Sequence, residues 1–197
     1  MDGGAHPGGR IGPNAITRMA EALPADAVDA LFAEAGLAAY RRAPPAGMVA
    51  EREVAALHRV LRARLDRAAY AAAAWEAGLR TGDYLLANRI PRLAQGLLRA
   101  LPAALAARLL CAAIRRHAWT FAGSGAFAAR PGTPTLLSIA GCPLCRGAVS
   151  GQPACGYFAA SFERLFSRLV HRRARVTETA CAAMGDPACV FAVTYTR

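Results

Sequence analysis

Thiols and a carboxylate gather toward the C-terminal end of this chain. Cys155 lies in P-A-C-G-Y-F, and Glu178, Cys181 and Cys189 follow in V-T-E-T-A-C-A-A-M-G-D-P-A-C-V-F. Three thiolates and one carboxylate form a tetrahedral donor set for zinc when they converge, and such a closed site stabilises a fold without leaving a position for catalysis. Gly185, Asp186 and Pro187 supply a turn between Cys181 and Cys189, which lets the chain double back and join those two sulfurs. Glu178 and Cys181 would face opposite sides of a regular strand, so a bulge or strand end is expected near Ala180. Cys142 and Cys145 form a separate C-x-x-C, a spacing suited to metal chelation or a redox disulfide, and stand as a redox or second thiol site. Cys111, in an apolar helix, reads as a core thiol. His171, at a helix end, is a substitute ligand or a solvent-facing residue.

The elements that must position these groups follow from periodicity. A first helix carries Ile16, Met19 and Leu23, with Asn14 as its cap, and a second carries Val28, Leu31 and Phe32 up to Gly36. Tyr40 to Gly47 reads as a loop or irregular strand. Apolar residues then keep helical spacing from Val49 to Leu65 and from Tyr70 to Asn88, and Gly78 and Gly82 leave room for a neighbouring helix or a flat ligand. Pro91 and Pro102 open two more helices, the second ending near His117. Trp119 to Ala129 and Thr133 to Ala140 read as a strand hairpin, and Tyr157 to Leu169 as an amphipathic helix. Arg173 to Ala180 and Cys189 to Thr196 are the last two strands. A helical half followed by strand, strand, helix, strand, strand gives an α+β fold, an antiparallel sheet of about four strands faced by helices. The divisions are a flexible tail over 1–10, a helical region over 11–118 and a β-β-α-β-β core over 119–197, the last two forming one folding unit.

Composition narrows the partners. A chain of 197 residues, 55% hydrophobic and 19% charged, is long enough for one well-filled core. Its formal charge of +11 favours anionic partners, although arginines such as Arg59, Arg62, Arg64 and Arg67 read as a solvated helix face. No zinc-finger spacing or aromatic-interleaved basic motif points to nucleic acid. The first ten residues lack the apolar run of an export signal, which makes the cytoplasm the expected compartment and reduced thiols the expected state. Leu97 to Ile114 is apolar but interrupted by Arg99, Pro102 and Arg108; it reads as a pair of buried amphipathic helices, with peripheral membrane contact as the alternative.

The run E-T-A-C-A-A-M-G-D-P-A-C-V-F, with P-A-C-G-Y-F-A-A-S-F upstream, resembles the 4-vinyl reductase domain family. R-I-G-P-N-A-I-T-R-M-A-E-A-L and G-C-P-L-C-R-G resemble, more narrowly, its members from bacteriochlorophyll biosynthesis. The resemblance covers the chain from about Arg10 onward. It implies the ligand-binding fold shared with nitric-oxide-signalling and Golgi-transport proteins, and dimerisation as in related domains. It also implies a structural zinc on Cys155, Glu178, Cys181 and Cys189.

The same resemblance implies an accessory protein that binds or delivers a divinyl chlorophyllide-type magnesium tetrapyrrole to enzymes of that pathway, at or beside the photosynthetic membrane. Such a ligand needs an apolar cavity, ring-stacking walls and cations for its carboxylates. Trp75, Tyr84, Trp119 and Phe121 are the candidate walls, Arg115 and Arg116 the candidate cations, and His117 a candidate axial ligand to magnesium. Two other readings stand beside this one: an 8-vinyl (historically 4-vinyl) reductase drawing on an external reductant, and a small-molecule sensor. No G-x-G-x-x-G follows a predicted strand, so the residues themselves offer no dinucleotide cradle for the reductase.

Overall fold

The computed structural model describes residues 9–195. Residues 1–8 of the expected tail and Thr196 of the expected last strand lie outside them. The described chain begins as structure earlier than the sequence suggests. Arg10–Ile11 (β1) pairs antiparallel with Val49–Ala50 (β2), and Gly9 accepts the Glu51 N–H through its carbonyl.

Helices α1 (Asn14–Ala22), α2 (Val28–Glu34) and α3 (Ala39–Arg42) precede β2. Asn14 does not cap α1. It is already helical, Pro13 stands before it, and no side chain accepts from the first turn. Part of the expected loop at Tyr40 is α3, short enough to escape a periodicity argument. Next come α4 (Glu51–Arg64) and α5 (Arg67–Asn88), the latter capped by Asp66, whose side chain accepts the Ala69 N–H at 2.8 Å. Helices α6 (Arg92–Ala100) and α7 (Ala103–Arg116) each open directly after a proline. Their burial is one-sided: Leu98, Leu110 and Ile114 enter the core, whereas Leu93, Leu97, Leu105 and Leu109 are exposed. The pair is therefore amphipathic but not buried.

Residues 119–122 correct the expected strand. They form α8 (Trp119–Ala122), because the chain leaving α7 keeps helical hydrogen bonds, Ala122 N–H to Ala118 O at 2.8 Å, until Gly123 turns it at φ +61°. The sheet follows as β3 (Ala126–Arg130), β4 (Thr135–Ala140), β5 (Ala174–Ala180) and β6 (Cys189–Tyr195), all antiparallel in the order β3-β4-β6-β5. Helix α9 (Gly156–Leu169) crosses from β4 to β5, so β6 closes the gap between them. The fold is α+β, as the order of elements implies.

One core joins the two halves. Phe158, Phe162 and Phe191 from α9 and β6 belong to the same buried cluster as Leu57 and Leu61 of α4 and Ala74 and Ala77 of α5. Helix α5 lies against α9 with almost no side chain between them. A Cβ on Gly78 would sit 2.3 Å from the Tyr157 carbonyl oxygen, and one on Gly82 would sit 2.5 Å from the Arg164 Cβ. The room left by these glycines is filled by a helix, not a flat ligand.

Candidate metal centre

The turn between β5 and β6 is built as its residues demand. Cys181 accepts the Met184 N–H at 2.8 Å through its carbonyl, Asp186 Oδ2 accepts the Cys181 N–H at 2.8 Å, and Gly185 takes φ +96°, where a side chain would be strained. Register shifts between Glu178 and Ala180 in the β5–β6 ladder. That irregularity undoes the alternation of a regular strand and brings Glu178 and Cys181 to one side. Glu178, Cys181 and Cys189 thus meet Cys155 at the start of α9, with their ligand atoms all within 4.8 Å of one another.

Two more thiols enter the same place. Cys142 Sγ lies 3.5 Å from Cys155 Sγ, and Cys145 Sγ lies 3.4 Å from Cys189 Sγ, which is itself 3.5 Å from Cys155 Sγ and 3.9 Å from Cys181 Sγ. The C-x-x-C is therefore not a separate site. Its cysteines form a second quartet with Cys155 and Cys189, again within 4.8 Å, and this buried four-cysteine group could hold a metal ion. A tetrahedral thiolate site with bonds of about 2.3 Å has sulfur–sulfur edges of about 3.8 Å, close to the separations here.

Electrostatics at the cluster are those of donors short of a cation. Cys155 and Cys189 are pushed well above the ordinary thiol value, by Cys142 first and then by the other sulfurs, while hydrogen bonds from its four neighbours pull Cys145 down. Burial, and then the Cys181 thiolate, push the Glu178 carboxyl up to about 8. Glu178 Oε2 accepts the Cys155 N–H at 2.8 Å, but its buried Oε1 has no hydrogen-bond partner among the described residues. An orphaned carboxylate oxygen beside buried thiols fits a metal ligand.

The helical half holds the C-x-x-C loop in place. Arg62 donates to the Leu144 carbonyl at 3.0 Å and to Tyr70 Oη at 3.0 Å; Tyr70 donates to the Ala154 carbonyl at 3.3 Å and meets His58 Nδ1 at 2.9 Å. Both ends of the loop are thus tied to α4 and α5. Arg146 closes the loop on itself through the Gly141 carbonyl at 2.9 Å and pairs with Glu51, which is only 4% exposed. Burial works against the Glu51 carboxylate, but hydrogen bonds from the Ser124 N–H and hydroxyl and from Arg146 outweigh it and hold the carboxyl below its usual range. Arg62 is accordingly a structural clamp, not one more solvated helix charge. Of these residues only His58 left a sequence signal, a polar residue on the apolar Val54, Leu57, Leu61 face.

The seven residues expected around a tetrapyrrole do not converge. Phe121 is consumed by an aromatic cluster, its ring 5.4 Å from Phe127 and 5.9 Å from Phe158. Tyr84 lies beneath the Arg18 and Arg89 guanidinium groups. Arg115, Arg116, His117 and Trp119 lie at the surface where α7 passes into α8. Trp75 is half-buried in an open groove of about 300 Å³ between α5 and α9, which Arg164, Arg168, Arg172 and Arg175 also line. His171 stands apart from the thiols, against the Tyr195 ring at 5.8 Å, and Cys111 is a buried core residue as expected.

Comparison with known proteins decides the family. The chain is 50% identical to a bacteriochlorophyll synthase 23 kDa chain of Cereibacter sphaeroides, over 97% of its own length and 93% of that protein. It belongs to the family of those chains. A second such protein, from Rhodobacter capsulatus, is 41% identical over 92% of this chain and 85% of its own length. Residues 135–195, which carry β4, α9, β5, β6 and all six donors of the two quartets, match the 4-vinyl reductase domain. A crystal structure of a vinyl-4-reductase family protein from Methanocaldococcus jannaschii aligns with a TM-score of 0.37 and 12% identity, over 60% of this chain and 76% of that one. No helix among the described residues is long and apolar enough to cross a membrane.

Proposed function

We infer that this protein is an accessory factor of bacteriochlorophyll biosynthesis that binds a chlorophyllide-type magnesium tetrapyrrole, or passes it to an enzyme of that pathway, on a scaffold fastened by structural zinc. The observation that carries the reading is the likeness along nearly the whole chain to proteins named bacteriochlorophyll synthase 23 kDa chain. The zinc reading draws on the buried donors at the β5–β6 turn, with Cys155, Glu178, Cys181 and Cys189 as one four-ligand set. Zinc bound there would supply cross-linking and no redox chemistry. The residues around it would orient the donors and keep water out.

For the pigment, the groove at Trp75 is the better of the expected positions. An indole face beside four arginines suits a flat apolar ring bearing carboxylates, since guanidinium groups pair with carboxylates in bidentate fashion. The outward faces of α6 and α7, with Leu93, Leu97, Leu105, Leu109 and Trp119 exposed, suit a position beside the photosynthetic membrane on its cytoplasmic side. A homodimer is an equally available use of that surface.

The test is an absorption titration of purified protein with a magnesium divinyl tetrapyrrole, alongside elemental analysis. A saturable spectral shift with bound zinc is expected. Full metal content without any shift would overturn pigment binding and leave a scaffold for protein contacts. Loss of the 8-vinyl group when a reductant is added would replace the carrier reading with that of a vinyl reductase.

A further inference from the structure

Six donors face one another at the cluster, and a single four-coordinate ion can use only four of them. The two quartets, Cys142/Cys145/Cys155/Cys189 and Cys155/Glu178/Cys181/Cys189, share Cys155 and Cys189 and nothing else. We propose that the site is a thiolate-bridged binuclear centre for two divalent zinc-like ions. Cys155 and Cys189 bridge, Cys142 and Cys145 complete the shell of one ion, and Glu178 and Cys181 complete that of the other. The proposal rests on the reading of this cluster as a metal site and extends it from one ion to two.

The donors themselves argue for the second ion. With one ion in the Glu178 quartet, Cys142 and Cys145 would remain unligated at 1% and 2% exposure, pressed against metal-bound sulfurs at 3.4–3.5 Å. With one ion in the all-cysteine quartet, Glu178 Oε1 would remain buried without a partner. Each outcome strands polar groups where water does not reach them, at a cost that native proteins avoid. Two ions sharing two sulfurs leave no donor unused, and each ion keeps the four ligands zinc prefers.

Charge points the same way. Five thiolates and a carboxylate carry six negative charges, of which one divalent ion balances two and a pair balances four. A site this buried gains from the second cation, because unpaired charge is expensive away from water. What excess remains meets backbone N–H groups: Ala182 donates to Cys189 Sγ at 3.5 Å and Cys155 to Glu178 at 2.8 Å. Both bridging cysteines also sit where two elements can feed them, Cys155 at the start of α9 and Cys189 at the start of β6. The terminal pairs come from different segments, the loop after β4 and the end of β5. The centre therefore ties four parts of the fold together.

Native mass spectrometry of reduced, metal-stripped wild-type protein refilled with zinc should show saturation at two ions per chain. Cadmium NMR of the same protein should show two resonances, one for an all-sulfur shell and one for a shell with an oxygen donor. Saturation at one ion with one resonance would overturn the binuclear centre and leave a single structural ion standing. No stable uptake would overturn both. The double variants Cys142→Ser/Cys145→Ser and Glu178→Gln/Cys181→Ser should each retain one ion and lose opposite resonances. Loss of the same resonance from both would overturn the assignment of terminal ligands. The wild-type spectra decide the stoichiometry even where a variant fails to fold.

Discussion

The thiol cluster and the groove at Trp75 are built in opposite ways. At the cluster, six donors arrive from four segments held by backbone hydrogen bonds, a bulge, a turn and an arginine clamp. At the groove, the indole is half-buried and its arginine neighbours come from α9 and the segment leading into β5. The first region is determined by the fold before any ion arrives. The second is a surface with the right chemistry and little rigidity. Stability should therefore answer to the cluster, and ligand affinity to the groove.

The hardest test of that division is Cys155→Ser. The substitution removes a sulfur common to both quartets, so all tightly bound metal should be lost by native mass spectrometry. The melting temperature should fall by about 10 °C, since a cost on the order of 4 kcal/mol shifts a chain of this size by that amount. Retention of the metal with an unchanged melt would mean that the cysteines are only well-packed core residues.

Acid offers a second test, and it acts through the clamp. Burial, and then the Arg62 charge, hold His58 at about 3, far below its ordinary 6.5. The unfolded chain takes up this proton first, so stability rises with pH between about 3 and 6.5 and is lost as pH falls through that window. The full loss is on the order of 5 kcal/mol at about 1.4 kcal/mol per pKa unit. Denaturant unfolding across this range should be steeper for wild type than for His58→Gln. Equal slopes would show that His58 is not buried neutral.

Parts of this design were legible in the sequence and parts were not. The quartet of Cys155, Glu178, Cys181 and Cys189 could be read because Gly-Asp-Pro forces a reversal between two of its members, and the bulge near Ala180 followed from strand alternation. The entry of Cys142 and Cys145 could not. It depends on Arg62 reaching a carbonyl 82 residues away, a contact no local spacing encodes. Trp119 to Ala122 was misread for a related reason, since residues that favour strands follow an uncapped helix and simply continue its turns until Gly123. The pigment residues were chosen by type alone, and residue type without geometry scattered them.

Two substitutions of intermediate effect probe the joint between the halves. Gly78→Ala should gain helix propensity yet lose about 1–3 kcal/mol in denaturant melts, because the new methyl meets a fixed carbonyl of α9 at 2.3 Å. A neutral or stabilising result would mean that α5 and α9 can separate without cost. Tyr70→Phe should cost about 1–3 kcal/mol by leaving Arg62 and His58 short of a partner. It should also speed metal transfer to a chelator by about 10–100-fold, as supporting contacts to metal ligands do elsewhere. Unchanged transfer would separate the clamp from the metal site.

The smallest expected effect on stability is the one that says most about function. Trp75→Ala and Trp119→Ala both alter the surface, and the Trp119 side chain, 61% exposed, should leave the melt within about 0.5 kcal/mol of wild type. Their effects on a magnesium tetrapyrrole titration should diverge. Trp75 stands among four arginines in a groove, so its loss should weaken binding about tenfold or more, given the stacking area an indole supplies. Trp119 lies at the end of the outward leucine face of α7, so its loss should leave pigment affinity intact while reducing retention on anionic vesicles. If the roles came out exchanged, the ligand would belong on the α7–α8 surface beside Arg115, Arg116 and His117, and the Trp75 groove would be a packing defect between two closely apposed helices.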